Sequence, residues 1–525
     1  MIPFLATYHD HPSTRYLRPE DLDRRISILN RWWTGLLEIL EGSKSTLSGT
    51  DRPVLLDGIL GLMAREEWRL SPSSSSAHLT EQSSRLGLDR SSRTQSSSSI
   101  ASTASDFITE SIYHNIRNTF VQNLFSQTAI VVDKMSNKTA PASLVAFGGK
   151  ALAYAFFFCP GFSDILLHLW ATPLNSVRRI SREFGLSEGP ALRQLSETVA
   201  SAFPASLRPL GFQSLAATVR WLRKRPKLPP GAGRINWYGS WIGRWIGRDS
   251  DLFFCFVKQW HLLQEDFLPA DAGLREKACS PAFVLVHAQI LTILDSTIHR
   301  QVGQSSDHGA ANSSAATLEE VLGNANATAT NLPLPATNVV RLMAENRLIM
   351  LLRDILSKRS AVSEGTRYNF AEAFVHVLQA AARGTSVFDH SACFTLCDFL
   401  EESATILIRY QTATPEAHEM IDWRFWLQVC ERMSQSQNTM SELRLLAFLY
   451  SIWSILTADE ARKDGLVLGW LIGEKMFTAY FHHWCPIIRA YYMRLLCWRV
   501  ARCDEEASEL DMYVSNRSSP TGSTN

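Results

Sequence analysis

His482, His483 and Cys485 lie close together, and Cys393 and Cys397 are one helical turn apart. Imidazole nitrogens and thiolates are zinc ligands, but a closed zinc site needs a second matched pair at finger-like spacing. No such pair lies near either group in sequence, so no metal or other cofactor is expected. Adjacent carboxylates occur at Glu66 and Glu67 and again at Glu401 and Glu402. Neighbours on a helix point about 100° apart, so neither pair converges on a substrate. The stretch from Gly161 to Ile165 lacks the second glycine of a nucleophile elbow. Gly148, Gly149 and Lys150 are followed by Ala151, where a phosphate-binding loop needs Ser or Thr. No catalytic residue can be named, and the expectation is a protein that binds rather than catalyses.

Recognition chemistry is better represented. The segment Arg234–Arg248 reads RINWYGSWIGRWIGR. A helix there would put Trp237, Trp241 and Trp245 on one face with Arg244 and Arg248 beside it, and Gly239, Gly243 and Gly247 on another. Trp and Arg dominate interface hot spots, so the five form a candidate interaction surface. The competing reading is an ordinary core helix, because in-phase tryptophans also pack inward. A second candidate surface is Trp484, Arg489, Arg494 and Trp498 in AYFHHWCPIIRAYYMRLLCWRVAR. Upstream, RWLRKRPK carries Arg220, Arg223, Lys224, Arg225 and Lys227. These residues suit weak contact with an anionic membrane, or form a solvated basic loop. Ser96, three residues after Arg93, and Ser519, before Pro520, are candidate phosphosites in polar stretches. Ser181 has a basic-basic-x-Ser context, but kinases need extended, accessible chain, which favours Ser96 and Ser519.

The elements that must position these groups are helical. Leu22, Ile26, Leu29, Trp33, Leu36, Leu37 and Leu40 recur at spacings of three and four, with Asp21 placed to cap. Ile108, Ile112, Ile116, Phe120, Leu124 and Phe125 make a second stripe, and Leu342, Leu348, Leu351, Leu352 and Ile355 a third. A fourth runs through Leu443, Leu446, Leu449, Tyr450, Trp453 and Leu456. Period-two alternation is scarce. Prolines fall at helix-loop-helix intervals without a fixed repeat period. The expected fold is all-α: irregular stacked helical hairpins in an armadillo- or HEAT-like superhelix, with two disordered low-complexity loops. Its parts are N-terminal helices over 1–70, a Ser-rich linker over 71–105 and a helical region over 106–300. A low-complexity linker over 301–335, a second helical region over 336–510 and a disordered tail over 511–525 complete it. Both helical regions are expected to pack as one array.

Composition supports a packed protein. Of 525 residues, 46% are hydrophobic and 20% charged, which excludes disorder throughout. With 52 basic and 51 acidic residues the net charge is +1, so no global field draws the chain to nucleic acid, and none is expected as a partner. Nine cysteines without a CxxC read as free thiols of a reducing compartment. The N-terminus has no basic region followed by an apolar one, so a secretory signal is not expected. The longest apolar stretch, Ala151–Cys159, is far short of the roughly 20 residues a bilayer span needs. Localisation is expected to be cytoplasmic, with peripheral membrane contact as the variant, and partners to be proteins.

Four phrases carry a resemblance: RDSDLFFCFVKQWHLL (Arg248–Leu263), NRLIMLLRDIL (Asn346–Leu356), LLAFLYSIWSIL (Leu445–Leu456) and FHHWCPIIRAYYMRLLCWRV (Phe481–Val500). On these the C-terminal half resembles the uncharacterised, mainly fungal family called domain of unknown function 1765. The resemblance implies a large helical protein without an assigned enzyme role, whose relatives are often longer and in some cases labelled membrane proteins. It transfers no catalytic or binding residue.

Overall fold

The computed structural model describes residue 7 and residues 17–42, 51–70, 98–137, 139–248, 250–269, 271–299, 343–360, 362–414 and 419–501. Ser96, Ser519, the residues 71–97, the whole 301–335 linker, Leu342 and the 511–525 tail lie outside them. Among the described residues every regular element is helical and no strand occurs, so the chain is all-α. Stacked helical hairpins are compatible with this content. In chain order the helices begin with α1 Pro19–Gly42, α2 Asp51–Met63, α3 Ser98–Met135, α4 Ala142–Phe158 and α5 Phe162–Leu169. They continue with α6 Leu174–Glu183, α7 Pro190–Ser201, α8 Leu215–Arg223, α9 Ile242–Trp245, α10 Leu252–Glu265, α11 Leu274–Cys279 and α12 Phe283–Ile298. The rest are α13 Arg347–Leu356, α14 Glu364–Gly384, α15 His390–Ala413, α16 Trp423–Ser434, α17 Thr439–Ser451, α18 Trp453–Leu456, α19 Glu460–Leu466, α20 Glu474–Phe481 and α21 Pro486–Leu495.

These helices belong to two compact units. The first comprises Met1–Leu174 and Leu186–Val286. Its centre is α4, packed by α10, α3 and α2. The apolar run expected at Ala151–Cys159 is this helix, and nearly every residue from Leu144 to Phe157 is buried. Burial on all sides requires apolar residues on all sides, which is why the stretch shows no stripe. No described helix is long and apolar enough to cross a membrane. A Cβ added at Gly149 would lie 2.5 Å from Cys255 Cβ and 2.8 Å from Phe256 N, so α4 and α10 approach as closely as glycine allows. Gly148 and Gly149, which look like a truncated phosphate loop in sequence, are contact points between helices.

The α1 stripe is buried at Leu22, Ile26, Leu29, Trp33, Leu37 and Leu40. Asp21 is not the cap: the helix starts at Pro19, and Asp21 sits in its first turn, where a carboxylate favours the positive end of the helix dipole. Trp33 donates to Gln127 Oε1 at 2.8 Å and meets Trp68 edge-on at 5.5 Å between ring centroids. Helix α3 begins at Ser98, inside the stretch expected to be linker. Its stripe turns inward from Tyr113 through Ile116, Phe120 and Leu124, while Phe107 and Ile108 are exposed.

The second unit comprises Asn175–Gly185 and the chain from His287 onward. The short α6 stretch is held there by Arg179, which pairs with Asp295 of α12 at 2.6 and 3.1 Å and donates to the Ala380 carbonyl at 2.7 Å. Ser181 is buried and its hydroxyl donates to the Arg178 carbonyl, so it is no accessible modification site. Helix α17 packs against α15, α16 and α21. Its start is fixed by Asn438, whose side chain accepts from Met440 N and Ser441 N.

Candidate interaction surfaces

The first candidate surface does not exist as one. The helix that would align these residues forms only at Ile242–Trp245, and Gly247 takes φ 84°, which ends the turn. Trp237, Trp241 and Trp245 are all buried. Their indole N–H groups donate to the carbonyls of Ala232 (3.3 Å), Asn236 (2.9 Å) and Leu166 (2.9 Å). Trp245 stacks on Trp170 at 5.4 Å and meets Phe256 edge-on at 4.7 Å. A buried indole needs both a packed ring and a partner for its N–H, and each of the three has both. Arg244 donates to the Asn137 carbonyl at 2.8 Å, so it ties α9 to the turn after α3, while Arg248 is exposed.

The second candidate surface is exposed. Trp484 and Trp498 are 72% and 69% accessible, and Phe481 and Met493 are also exposed. Arg494 stands exposed, without a hydrogen bond or ion pair among the described residues. Arg489 is different: its guanidinium donates to the carbonyls of His483 and Trp484, so it fixes the loop that carries Trp484. Proline at the first position of α21 starts that helix immediately after the loop.

Two π-helical turns shape this end. Ala501 N donates to Leu496 O at 2.7 Å and Ile472 N to Val467 O at 3.0 Å, both five residues back. The first turn, Leu496–Val500, displays Trp498; the second is Val467–Leu471. Such wide turns are uncommon, and they cluster at functional sites. Tyr492 ties α21 to the second turn by donating to the Leu471 carbonyl at 2.6 Å, and burial pushes its phenol upward. Arg499 lies over the Tyr450 ring at 4.4 Å.

The histidines and cysteines nearby have structural partners. His483 Nδ1 accepts from Cys485 N at 3.1 Å, leaving Nε2 to meet Glu442 Oε2 at 3.2 Å. Burial raises the Glu442 carboxyl, and His483 opposes that rise. His482 is exposed at the edge of the Phe481 ring, and Cys485 is buried. Cys393 and Cys397 are buried on α15, and burial drives the Cys397 thiol to about 12. Among the described residues no three His, Cys, Asp or Glu side chains are placed to hold a metal ion.

Glu67 takes two cations, and Glu401 and Glu402 take separate ones. Glu67 is buried against Arg65 at 2.6 Å and Arg25 at 3.2 Å. Glu401 and Asp398 share Arg444 at 2.8 and 2.5 Å, while Glu402 meets Arg353 at 3.6 Å. Arg444 is buried, and desolvation raises both Asp398 and Glu401 against its pull. Sequence reasoning missed this triad. Its signal was an arginine embedded in the apolar stretch around Leu443–Leu449, one of the places where a charge must find partners.

Residues 220–234 of the first unit form a third surface. Arg220, Arg223, Lys224, Arg225, Lys227 and Arg234 are exposed, and Leu228 and Tyr238 beside them are 62% and 86% accessible. The segment is tacked down from behind. The Trp221 ring lies 4.4 Å from His168, and Pro229 packs where a Gly161 side chain would be, at 3.3 Å. Ala232 is buried beneath Trp237. Helix α8 itself buries no residue fully.

Residues 374–500 match the model of a family described as protein of unknown function (DUF1765). The resemblance carried by Leu445–Leu456 and Phe481–Val500 falls inside that span; Arg248–Leu263 and Asn346–Leu356 fall outside it. The chain is 23% identical over 515 residues to a protein of Schizosaccharomyces pombe described as a UPF0592 membrane protein. The alignment covers 96% of this chain and 50% of that relative, so the chain spans about half its length. No solved structure matches.

Proposed function

We propose that the chain is a binding protein, an adaptor that presents the Trp484–Trp498 surface of its second unit to a protein partner. The supporting observation is that Phe481, Trp484, Met493 and Trp498 are each exposed along the stretch Phe481–Trp498, which also carries the exposed Arg494. Several large apolar side chains exposed along one stretch are candidates for an interaction site, and Trp and Arg are the commonest anchors of one. The residues fit a partner that offers apolar pockets and a carboxylate for Arg494. A photo-crosslinking residue at position 484 tests this in the full-length chain. A discrete adduct should form, and it should disappear on Trp498→Ala plus Arg494→Ala. The same adduct pattern from a crosslinker placed at Tyr238 would end the proposal.

A second reading is peripheral association with a membrane. It is favoured by the fission yeast relative's description as a membrane protein, together with the exposed cations of residues 220–234. In this reading the described residues meet lipid at its surface. Alkaline carbonate should release the full chain from isolated membranes. Retention in the washed membrane pellet would contradict the reading.

A further inference from the structure

We infer that the basic segment 220–234 is a docking element for the surface of a bilayer containing acidic phospholipid, a proposal that rests on the peripheral-membrane reading. Arg220, Arg223, Lys224, Arg225, Lys227 and Arg234 form no ion pair with any described carboxylate. Elsewhere in the same unit arginines are partnered: Arg65 and Arg25 meet Glu67, and Arg69 meets Asp266. The chain as a whole is close to neutral, at +1, so this concentration of cations is local. Glu188, a carboxylate at the start of α8, is engaged elsewhere: it accepts from Leu215 N.

The segment is also held in shape. Its back is fixed by Trp221 against His168, by Pro229 against Gly161, and by a turn in which Ala232 N donates to the Pro229 carbonyl at 3.1 Å. Pro226, Pro229 and Pro230 restrict the backbone further. A pre-shaped loop gives up less conformational entropy on docking than a free one.

The choice of occupant follows from what lies among the charges. Leu228 and Tyr238 project into solvent next to the cations. An aliphatic side chain adds nothing to phosphate recognition, whereas it gains free energy when it enters the acyl boundary of a bilayer. A tyrosine with a wet hydroxyl and an apolar ring suits the headgroup layer. Cations that attract the surface, with one apolar anchor between them, are the combination that holds proteins on acidic membranes.

The test is co-sedimentation of the full chain with vesicles of phosphatidylcholine alone and with phosphatidylserine added. The chain should bind only the acidic vesicles, and raising salt to about 0.5 M should release it, as expected for surface charge pairing. Replacing Arg223, Lys224 and Arg225 together by Gln should weaken binding about 100-fold, at roughly fivefold per cation. Leu228→Ser should weaken it about tenfold while leaving its salt dependence intact. All four positions are exposed, so both variants should keep the wild-type Tm, checked in parallel. Absence of wild-type binding to either vesicle sinks the docking element and the peripheral reading together. Wild-type binding that the triple variant retains sinks only the docking element. Equal binding to inositol hexakisphosphate or to RNA, indifferent to Leu228→Ser, overturns the membrane assignment.

Discussion

Two segments of this chain look alike on paper and behave oppositely in the fold. Trp237–Arg248 and Trp484–Trp498 both mix tryptophan and arginine at near-helical spacing. In the first, three indoles are buried and each N–H has a backbone carbonyl to satisfy it. In the second, two indoles stand in solvent, one on a loop pinned by Arg489 and one on a π-helical turn. The difference teaches that Trp and Arg content says a segment is energetically important without saying which way it faces. Neighbours decide that. Glycines around the first segment let the chain turn and fold its rings under α5 and α10. A proline-started helix and a wide turn carry the second outward.

The comparison can be broken most directly by truncating the rings. Trp245→Ala should destabilise the chain by about 3–5 kcal/mol, the range for emptying a large aromatic site, read from urea denaturation. Trp484→Ala and Trp498→Ala should each stay within about 0.5 kcal/mol of wild type. Equal losses at all three positions would erase the distinction. Arg444→Ala should cost about as much as Trp245→Ala, because it leaves Asp398 and Glu401 without their shared cation. A change below about 1 kcal/mol there would show that the triad is more hydrated than its burial implies.

Smaller effects sharpen the picture. Gly149→Ala should cost about 1–3 kcal/mol through overpacking of α4 on α10, given the 2.5 Å approach to Cys255 Cβ. Gly465→Ala, where nothing lies within 4 Å, should not destabilise. The pH dependence of Glu401→Gln is the finest probe. Burial raises the Glu401 pKa above its unfolded value, 4.5, so its ionisation counts against the folded state. That penalty is absent below the unfolded pKa and complete above the folded one. Relative to wild type, Glu401→Gln should therefore be most favourable near pH 7 and lose its advantage as the pH falls through the raised pKa toward 4.5. A difference that grows on acidification would reverse the assignment of the shift.

Much of the fold was legible because helices advertise themselves. The stripes over Leu22–Leu40 and Leu348–Ile355 became buried faces, since a period near 3.6 has one structural solution. The length of Ala151–Cys159 was legible as too short for a bilayer span, and the stretch lies in the buried α4 and its C-cap. The absent motifs likewise had local explanations: Gly149 spaces two helices, and Glu67 and Glu401 satisfy buried arginines. The candidate surfaces were half legible. Trp484, Arg494 and Trp498 face solvent, Trp237, Trp241 and Trp245 follow the competing core reading, and Arg489 serves the loop that carries Trp484.

What the residues alone determined is helical content, a near-neutral charge, and the density of Trp, Arg and basic side chains at particular positions. These are local quantities, set by side-chain type and by separations of a few residues. Sidedness was decided only in three dimensions. Whether an indole is sealed, whether a cation finds a carboxylate, and whether a glycine is a hinge or a spacer all depend on what another stretch of chain brings within a few ångströms. Arg444 with Asp398 and Glu401, and the uncompensated cations at residues 220–234, are the two outcomes of that choice. Burial forces charges to pair, and exposure leaves them available to something else.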